Sequence, residues 1–339
     1  MRVLILRLSS LGDILLAACV FEEIKRANPD SWLACVVKPR YQGVAASIAA
    51  LDEVVAYQGF SKTLGVLRKE RWDIVIDLHG VWRSRSLAAF LVAGKKVIYD
   101  KDIWARYGMV WLGRRRPASH VLDRYARAFE AAGLKLSREA QGRGELFKPF
   151  VFQQAAEMCR ELGLDPGKDF LIGLAPGAKW ATKRWPAYRF AELGRRLLAR
   201  YPAARLLLLG SPEERALCQE IVGFLTDAGP SKVFNLAGSA EPVTLAGLVK
   251  SLKILIANDS GIMHVGWIQG VPTVAIFGPT VGGFGFFPRG KNSMVVEKQD
   301  LKCRPCSLHG NAVCPRGHFL CMELIGVNEA LIACETALV

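Results

Sequence analysis

The residues of this 339-residue chain that could do chemistry stand where apolar runs end. In RVLILRLSSLGD, Asp13 opens a helical pattern directly after a short apolar run, so its carboxylate faces whatever lies over the end of that run. The positive end of a helix keeps such a carboxylate ionised and able to accept a proton, and the same position suits a helix N-cap; the two readings can coexist. In APGAKWATKRWPAYRF, Lys179, Lys183 and Arg184 crowd a Gly turn before Trp185-Pro186 opens a helix. Cations beside a helix start suit a diphosphate whose leaving charge they would offset, or they form a solvated basic turn. NDSGIMH carries the apolar run ILIA into Asp259, Ser260 and Gly261 and at once into a helix, which would aim the N–H groups of Ser260 and Gly261 at an anion. His264, one turn in, would contact a phosphate or sugar or sit as a satisfied core histidine. In LLLLGSPEER, Glu213 and Glu214 lie just past an apolar run, where a carboxylate can accept both hydroxyls of a ribose or simply start a helix.

A cysteine cluster forms the other candidate. Cys303, Cys306, Cys314 and Cys321 read C-x2-C-x7-C-x6-C, with His309 and His318 nearby. Four thiolates could hold a structural zinc, although the second pair lacks the tight knuckle spacing; a disulfide or free thiols are the alternatives.

The elements that must hold these residues alternate in type. Arg2 to Leu6 reads as a buried strand followed by a helix from Ile14 to Ala27, and WLACVV and DIVIDLHG repeat the pattern with helices near Tyr41 to Ala49 and Ser61 to Glu70. A polar stretch from Arg138 to Lys148 marks a connection, and a helix from Phe152 to Leu162 precedes a second series. FLIGLAPG, RLLLLGS, KILIANDSG and TVAIFGPT are then four strands, whose ends at Gly177, Gly210, Asn258 and Gly278 mark a ligand crevice. Alternation of this kind implies α/β domains on parallel sheets.

With 51% hydrophobic and 22% charged residues, the chain suits two ordinary globular domains. The absence of GxGxxG after either leading strand weakens an NAD-dependent oxidoreductase. The formal charge of +14 favours anionic partners: nucleic acid, an anionic membrane surface or a phosphorylated substrate. Arg7 and Asp13 interrupt the apolar start, which argues against a secretory signal, and no apolar run reaches the roughly 18 residues of a membrane span. Single cysteines at 19, 35, 159, 218 and 334 agree with a reducing compartment, so the expected location is the cytoplasm.

Taken together, RLSSLGDILL, VIDLHGVWRSR, HVLDRY, PGAKWATKRWP, NDSGIMHVGWIQGVPTVAIFGPT and CRPC resemble glycosyltransferase family nine, the heptosyltransferases, along nearly the whole chain. The resemblance implies a GT-B fold, two Rossmann-like domains facing a central cleft: residues 1–150 for the acceptor, 151–325 for the nucleotide sugar, and a C-terminal helix over 326–339 packing back on the first domain. It assigns Asp13 as the catalytic base and Lys183 to the donor diphosphate. Asp259, Ser260, Gly261 and His264 would bind the nucleotide, and Glu214 or Glu213 the ribose. The implied reaction is inverting, metal-independent transfer of L-glycero-D-manno-heptose from ADP-heptose to the Kdo-lipid A or heptosyl-Kdo-lipid A inner core of nascent lipopolysaccharide, with domain closure joining base and cradle. No cofactor is required for the chemistry.

Arg83, Arg85, Arg114, Arg115 and Arg116 would meet the phosphates and Kdo carboxylates of the lipid acceptor, with peripheral contact at the anionic cytoplasmic face of the inner membrane. Asp100-Lys101-Asp102 has the Asp-x-Asp spacing of metal-dependent glycosyltransferases, but the intervening Lys opposes a cation, and the basic, aromatic stretch to Arg116 reads as an acceptor- or membrane-facing loop or a solvated one. A family relative using another sugar is the first alternative. A nucleic-acid-binding protein with a Cys-rich module is the second; it would interleave basic and aromatic residues among the cysteines, and CRPCSLHGNAVCPRGHFLC does so poorly, so nucleic acid is not expected as a partner.

Overall fold

The computed structural model describes residues 1–112, 118–137, 145–229 and 231–339; Arg114, Arg115 and Arg116 lie outside them. The chain forms two compact units: Met1–Ile103 with Ser119–Lys148, and Trp104–Ala118 with Pro149–Val339.

In the first unit β1 (Arg2–Leu6), α1 (Leu11–Ala27), β2 (Trp32–Val37), α2 (Gln42–Ala46), β3 (Glu53–Ala56), α3 (Phe60–Leu67), β4 (Trp72–Asp77), α4 (Trp82–Phe90) and β5 (Ala93–Ile98) alternate. The strands pair in parallel in the order β3-β2-β1-β4-β5. Parallel strands covered on both faces must be apolar throughout, and Val3, Leu4, Ile5 and Leu6 of the central strand have no exposed surface. Beyond β5, α5 (Ile103–Leu112) passes into the second unit, and α6 (Val121–Ala131) returns to pack on α1 through an edge contact of Phe129 with Phe21. The segment that closes this unit is held by Ala49 N–H on the Leu146 carbonyl and Lys148 N–H on that of Ser47.

The second unit continues with α7 (Pro149–Glu161), β6 (Phe170–Ala175), α8 (Ala187–Arg200), β7 (Ala204–Leu208), α9 (Arg215–Gly223), β8 (Val233–Asn235), α10 (Pro242–Lys250), β9 (Ile254–Asn258), α11 (Gly261–Ile268), β10 (Thr273–Phe277), β11 (Ser293–Glu297), α12 (Leu320–Glu323) and α13 (Val327–Ala337). Its strands run parallel in the order β11-β10-β9-β6-β7-β8. The terminal helix α13 packs on β9, β10, β11 and α8 of its own unit, and its Ala330, Cys334 and Ala337 bury completely in that core. Trp104–Ala118 groups with the second unit: the Arg106 guanidinium stacks on Phe284 and Phe286, and Ala118 N–H bonds the Gly283 carbonyl. Among the described residues, no helix is long and apolar enough to cross a membrane.

Candidate active site

In the first unit the strand order reverses between β1 and β4, so the loops that follow these two strands open next to each other, the usual ligand position of such sheets. After β1, Ser10 is the N-cap of α1 and Asp13 its third residue, so the helix begins three residues before the expected Ile14. Asp13 Oδ2 accepts hydrogen bonds from Ser10 N at 3.2 Å and Ser10 Oγ at 2.7 Å, and pairs with Arg7 Nη2 at 2.6 Å. Its other oxygen meets the Tyr125 hydroxyl at a longer 3.4 Å. Burial alone would raise this carboxyl, but Arg7 and the Ser10 bonds outweigh it and hold it at about 2. Capping and ionisation are thus combined in one side chain.

The β4 loop is built around Asp77, which has no exposed surface. Its Oδ1 accepts from His79 N at 2.9 Å and Gly80 N at 2.7 Å, and its Oδ2 from Ser84 Oγ at 2.9 Å. His79 is pushed down to about 4 by burial first and then by the Arg7 and Lys101 charges. Lys101 lies over this turn: a Cβ on Gly80 would stand 3.1 Å from Lys101 Cε. Burial and Arg7 lower the Lys101 ammonium, while Asp77 and Asp13 pull the other way, so these charges lie close enough to act on one another.

The structure also settles how Asp100 and Asp102 are used. Asp100 Oδ1 accepts from Asp102 N at 2.9 Å, Asp102 Oδ2 accepts from Ser119 Oγ at 3.0 Å, and Arg124 Nη1 holds the Lys101 carbonyl at 2.7 Å. Both carboxylates shape the loop, and Lys101 is what the loop presents. Arg83 and Arg85 are exposed on α4. The grouping of Arg7, His79, Lys101 and Tyr125 escapes motif reading because their partners come from strands and helices far apart in sequence; each stands in a segment with a signal of its own, RLSS, VIDLHG, Asp100-Lys101-Asp102 and HVLDRY.

In the second unit the order reverses between β6 and β9, and the DSG and Lys183 segments follow those strands. Asn258, fully buried at the end of β9, donates through Nδ2 to the Pro176 carbonyl at 2.7 Å and accepts from Trp185 N at 3.1 Å, which fastens the two loops together. Lys183 Nζ pairs with Asp259 Oδ2 at 2.6 Å, and the Thr280 hydroxyl donates to the same carboxylate at 2.7 Å. Burial opposes ionisation of Asp259, but Lys183 and Thr280 prevail and lower it. Ser260 caps α11, and its Oγ is buried with no hydrogen-bond partner in the protein. His264 is buried; its Nδ1 accepts from Trp267 Nε1 at 3.1 Å, which in a neutral ring leaves the proton on Nε2.

Glu214 and Glu213 separate. A Cβ on Gly177 would fall 2.0 Å from Glu214 Cδ, and one on Gly210 2.9 Å from its Oε2, so these glycines make room for the Glu214 carboxylate at the ends of β6 and β7. Ser211 N–H donates to Glu214 Oε2 at 2.9 Å. Glu213, by contrast, is exposed. Met322 packs on Gly278 at the end of β10, where a Cβ would lie 2.8 Å from Met322 Cε.

The cysteine-rich segment reaches the same site by another route. Asn311 exchanges bonds with Thr182, its N–H donating to Oγ1 at 2.8 Å and its carbonyl accepting from Oγ1 at 2.9 Å, and Gly310 packs on Trp180 and Lys183. Cys303, Cys306, Cys314 and Cys321 are free thiols, and among the described residues no three His, Cys, Asp or Glu side chains converge as a metal-ligand set. The segment acts as a clasp on the Lys183 turn.

Residues 62–314 match the family model for glycosyltransferase family 9 (heptosyltransferase). The chain belongs to that family. Its relatives include lipopolysaccharide heptosyltransferase 1 of Pseudomonas aeruginosa, 29% identical over 90% of this chain and 86% of the relative, and lipooligosaccharide heptosyltransferase 2 of Campylobacter jejuni, 34% identical over 76% and 73%. Among solved structures, the family 9 glycosyltransferase of Veillonella parvula superposes with a TM-score of 0.77 at 25% identity, covering 99% of this chain and 97% of that one. The E. coli ADP-heptose lps heptosyltransferase II gives 0.76 at 20% identity, covering 100% and 98%. This family 9 member is therefore a glycosyltransferase with the two Rossmann-like domains of the GT-B class.

Proposed function

We propose that this glycosyltransferase transfers L-glycero-D-manno-heptose from ADP-heptose to the inner core of nascent lipopolysaccharide, with inversion and without a metal, at the cytoplasmic face of the inner membrane. The observation that carries the reading is the division of chemistry between the two units. One holds an ionised carboxylate among cationic groups; the other holds a half-buried lysine and a helix start beside a carboxylate that fits a ribose.

Asp13 accepts the proton of the acceptor hydroxyl. A carboxylate held near 2 is a weak base, so the proton moves late, once the new glycosidic bond has made the hydroxyl acidic. Arg7 and Tyr125 aim it, while Lys101 and the exposed Arg83 and Arg85 attract acceptor phosphate and carboxylate groups. Arg114, Arg115 and Arg116 extend that charge along the sequence.

On the donor side, Lys183 exchanges its Asp259 partner for the diphosphate and offsets the charge that develops as the glycosyl bond breaks. The N–H groups at Ser260 and Gly261 bind the same anion. Glu214 receives the ribose hydroxyls, and His264 shapes the wall behind Asp259. Because a lysine and a helix end do this work and Asp100 and Asp102 are committed to their own loop, no divalent cation is needed for the step.

Incubating the purified protein with a panel of nucleotide sugars and Kdo-lipid A tests the assignment. ADP-heptose should be consumed far faster than any other donor. Preferential use of a different nucleotide sugar would move the protein to another branch of family 9.

A further inference from the structure

Helix α5 has two faces of opposite character. Arg106 and Met109 are buried on the inner one, where the Arg106 guanidinium lies 5.5 Å and 5.4 Å from the rings of Phe284 and Phe286. Trp104, Tyr107 and Trp111 follow at spacings of three and four residues and so share the outer face. They are 85%, 42% and 77% exposed, and Leu112 beside them is 65% exposed. Large aromatic side chains at this exposure lose the burial energy that would justify them in a surface facing only water.

The residue types narrow what covers the stripe. Trp and Tyr pair an apolar ring with a polar N–H or O–H and concentrate where hydrocarbon meets lipid headgroups. Cations stand next to the helix: Val110 lines a cavity of about 380 Å³ together with Lys302, Arg316 and the Cys303 and Cys306 loop, and both cations are exposed. An aromatic helix face flanked by lysine and arginine matches an anionic bilayer surface, with rings among the acyl boundary and cations on the phosphates. The chain's charge of +14 acts in the same direction.

We infer that the Trp104-Tyr107-Trp111 face of α5, with Lys302 and Arg316, docks the enzyme on an anionic lipid surface. The inference rests on the lipid-linked acceptor proposed above and names the surface that meets the membrane.

Sedimentation of the full chain with phosphatidylethanolamine–phosphatidylglycerol vesicles tests it. The protein should bind these vesicles and not phosphatidylcholine ones. Trp104→Ser combined with Trp111→Ser should lower the partition coefficient about 10-fold or more. Lys302→Ala with Arg316→Ala should weaken binding and flatten its salt dependence. Since all four side chains are exposed, the unfolding midpoint and ADP binding should stay unchanged. Undiminished vesicle binding by the tryptophan variant overturns the inference. So does loss of self-association in that variant with vesicle binding intact, which would make a second copy of the chain the occupant, and so does loss of transfer to a water-soluble acceptor, which would place the stripe in the acceptor site. Vesicle binding without any heptosyl transfer would leave the docking face standing and sink the enzymatic reading; transfer to a soluble acceptor without vesicle binding would do the reverse.

Discussion

Asp13 is pulled in two directions at once, since ionisation demands a cation beside it and basicity demands the opposite. Arg7 decides the outcome, holding the carboxyl at about 2, so the proposed base stays charged at any pH the enzyme meets. The rate profile should therefore show no acid limb from Asp13 above about pH 4, the ordinary carboxylate range; a limb centred near 6 would mean that a different group takes the proton. Arg7→Leu should raise that carboxyl toward its ordinary value and bring an acid limb into view. At the donor end, Lys183→Ala should weaken ADP binding about 10-fold or more, the scale of one hydrogen bond to a charged group. Unchanged ADP affinity by calorimetry would show that Lys183 serves Asp259 alone.

At the level of elements, the buried central strands were legible from their uninterrupted apolar runs, and the loops after them from the polar residues that stop each run. The edges were not. β3 is four residues long, β8 three, and β5 carries Lys95 and Lys96 with most of its residues partly or fully exposed, so none has the apolar run that marks a buried strand. The start of α1 was misplaced because Asp13 attracted the cap assignment that Ser10 fills. Lys101 and Tyr125 stand in segments the sequence marks, but what they pair with does not follow from it, since that depends on β5 and α6 being folded back over α1 and β4. Two consequences are measurable. Asn258→Ala removes both bonds that fasten the β6 and β9 loops, and each buried group left unsatisfied costs about 1–3 kcal/mol, so the unfolding midpoint should fall at roughly 2–4 °C per kcal/mol; an unaltered midpoint would show that the loops hold without it. His79 has its folded pKa depressed to about 4, so the unfolded chain binds the extra proton first. Its contribution to stability is present above the unfolded value of about 6.5 and is lost as pH falls toward 4. His79→Asn should flatten the pH dependence of stability in that window, and an identical slope in both proteins would contradict the assignment.

Across the whole molecule, the same physical device is used twice. Each sheet reverses its strand order once, and each reversal gathers charged residues at neighbouring strand ends, with a carboxylate and its arginine in one unit and a lysine and a helix start in the other. Chelation by EDTA should leave transfer intact if, as proposed, Lys183 and the α11 helix start offset the leaving diphosphate's charge; loss restored by magnesium would contradict that account. The most direct test of the division of labour compares wild type with Asp13→Asn in one assay, following ADP release and acceptor mass from ADP-heptose and Kdo-lipid A. The account predicts that the wild-type acceptor gains one heptosyl residue for each ADP released, and that the variant binds ADP within a few-fold of normal while turnover falls about 10²-fold or more. Near-normal turnover in Asp13→Asn would reduce Asp13 to the partner of Ser10 and Arg7 and remove the base from the mechanism.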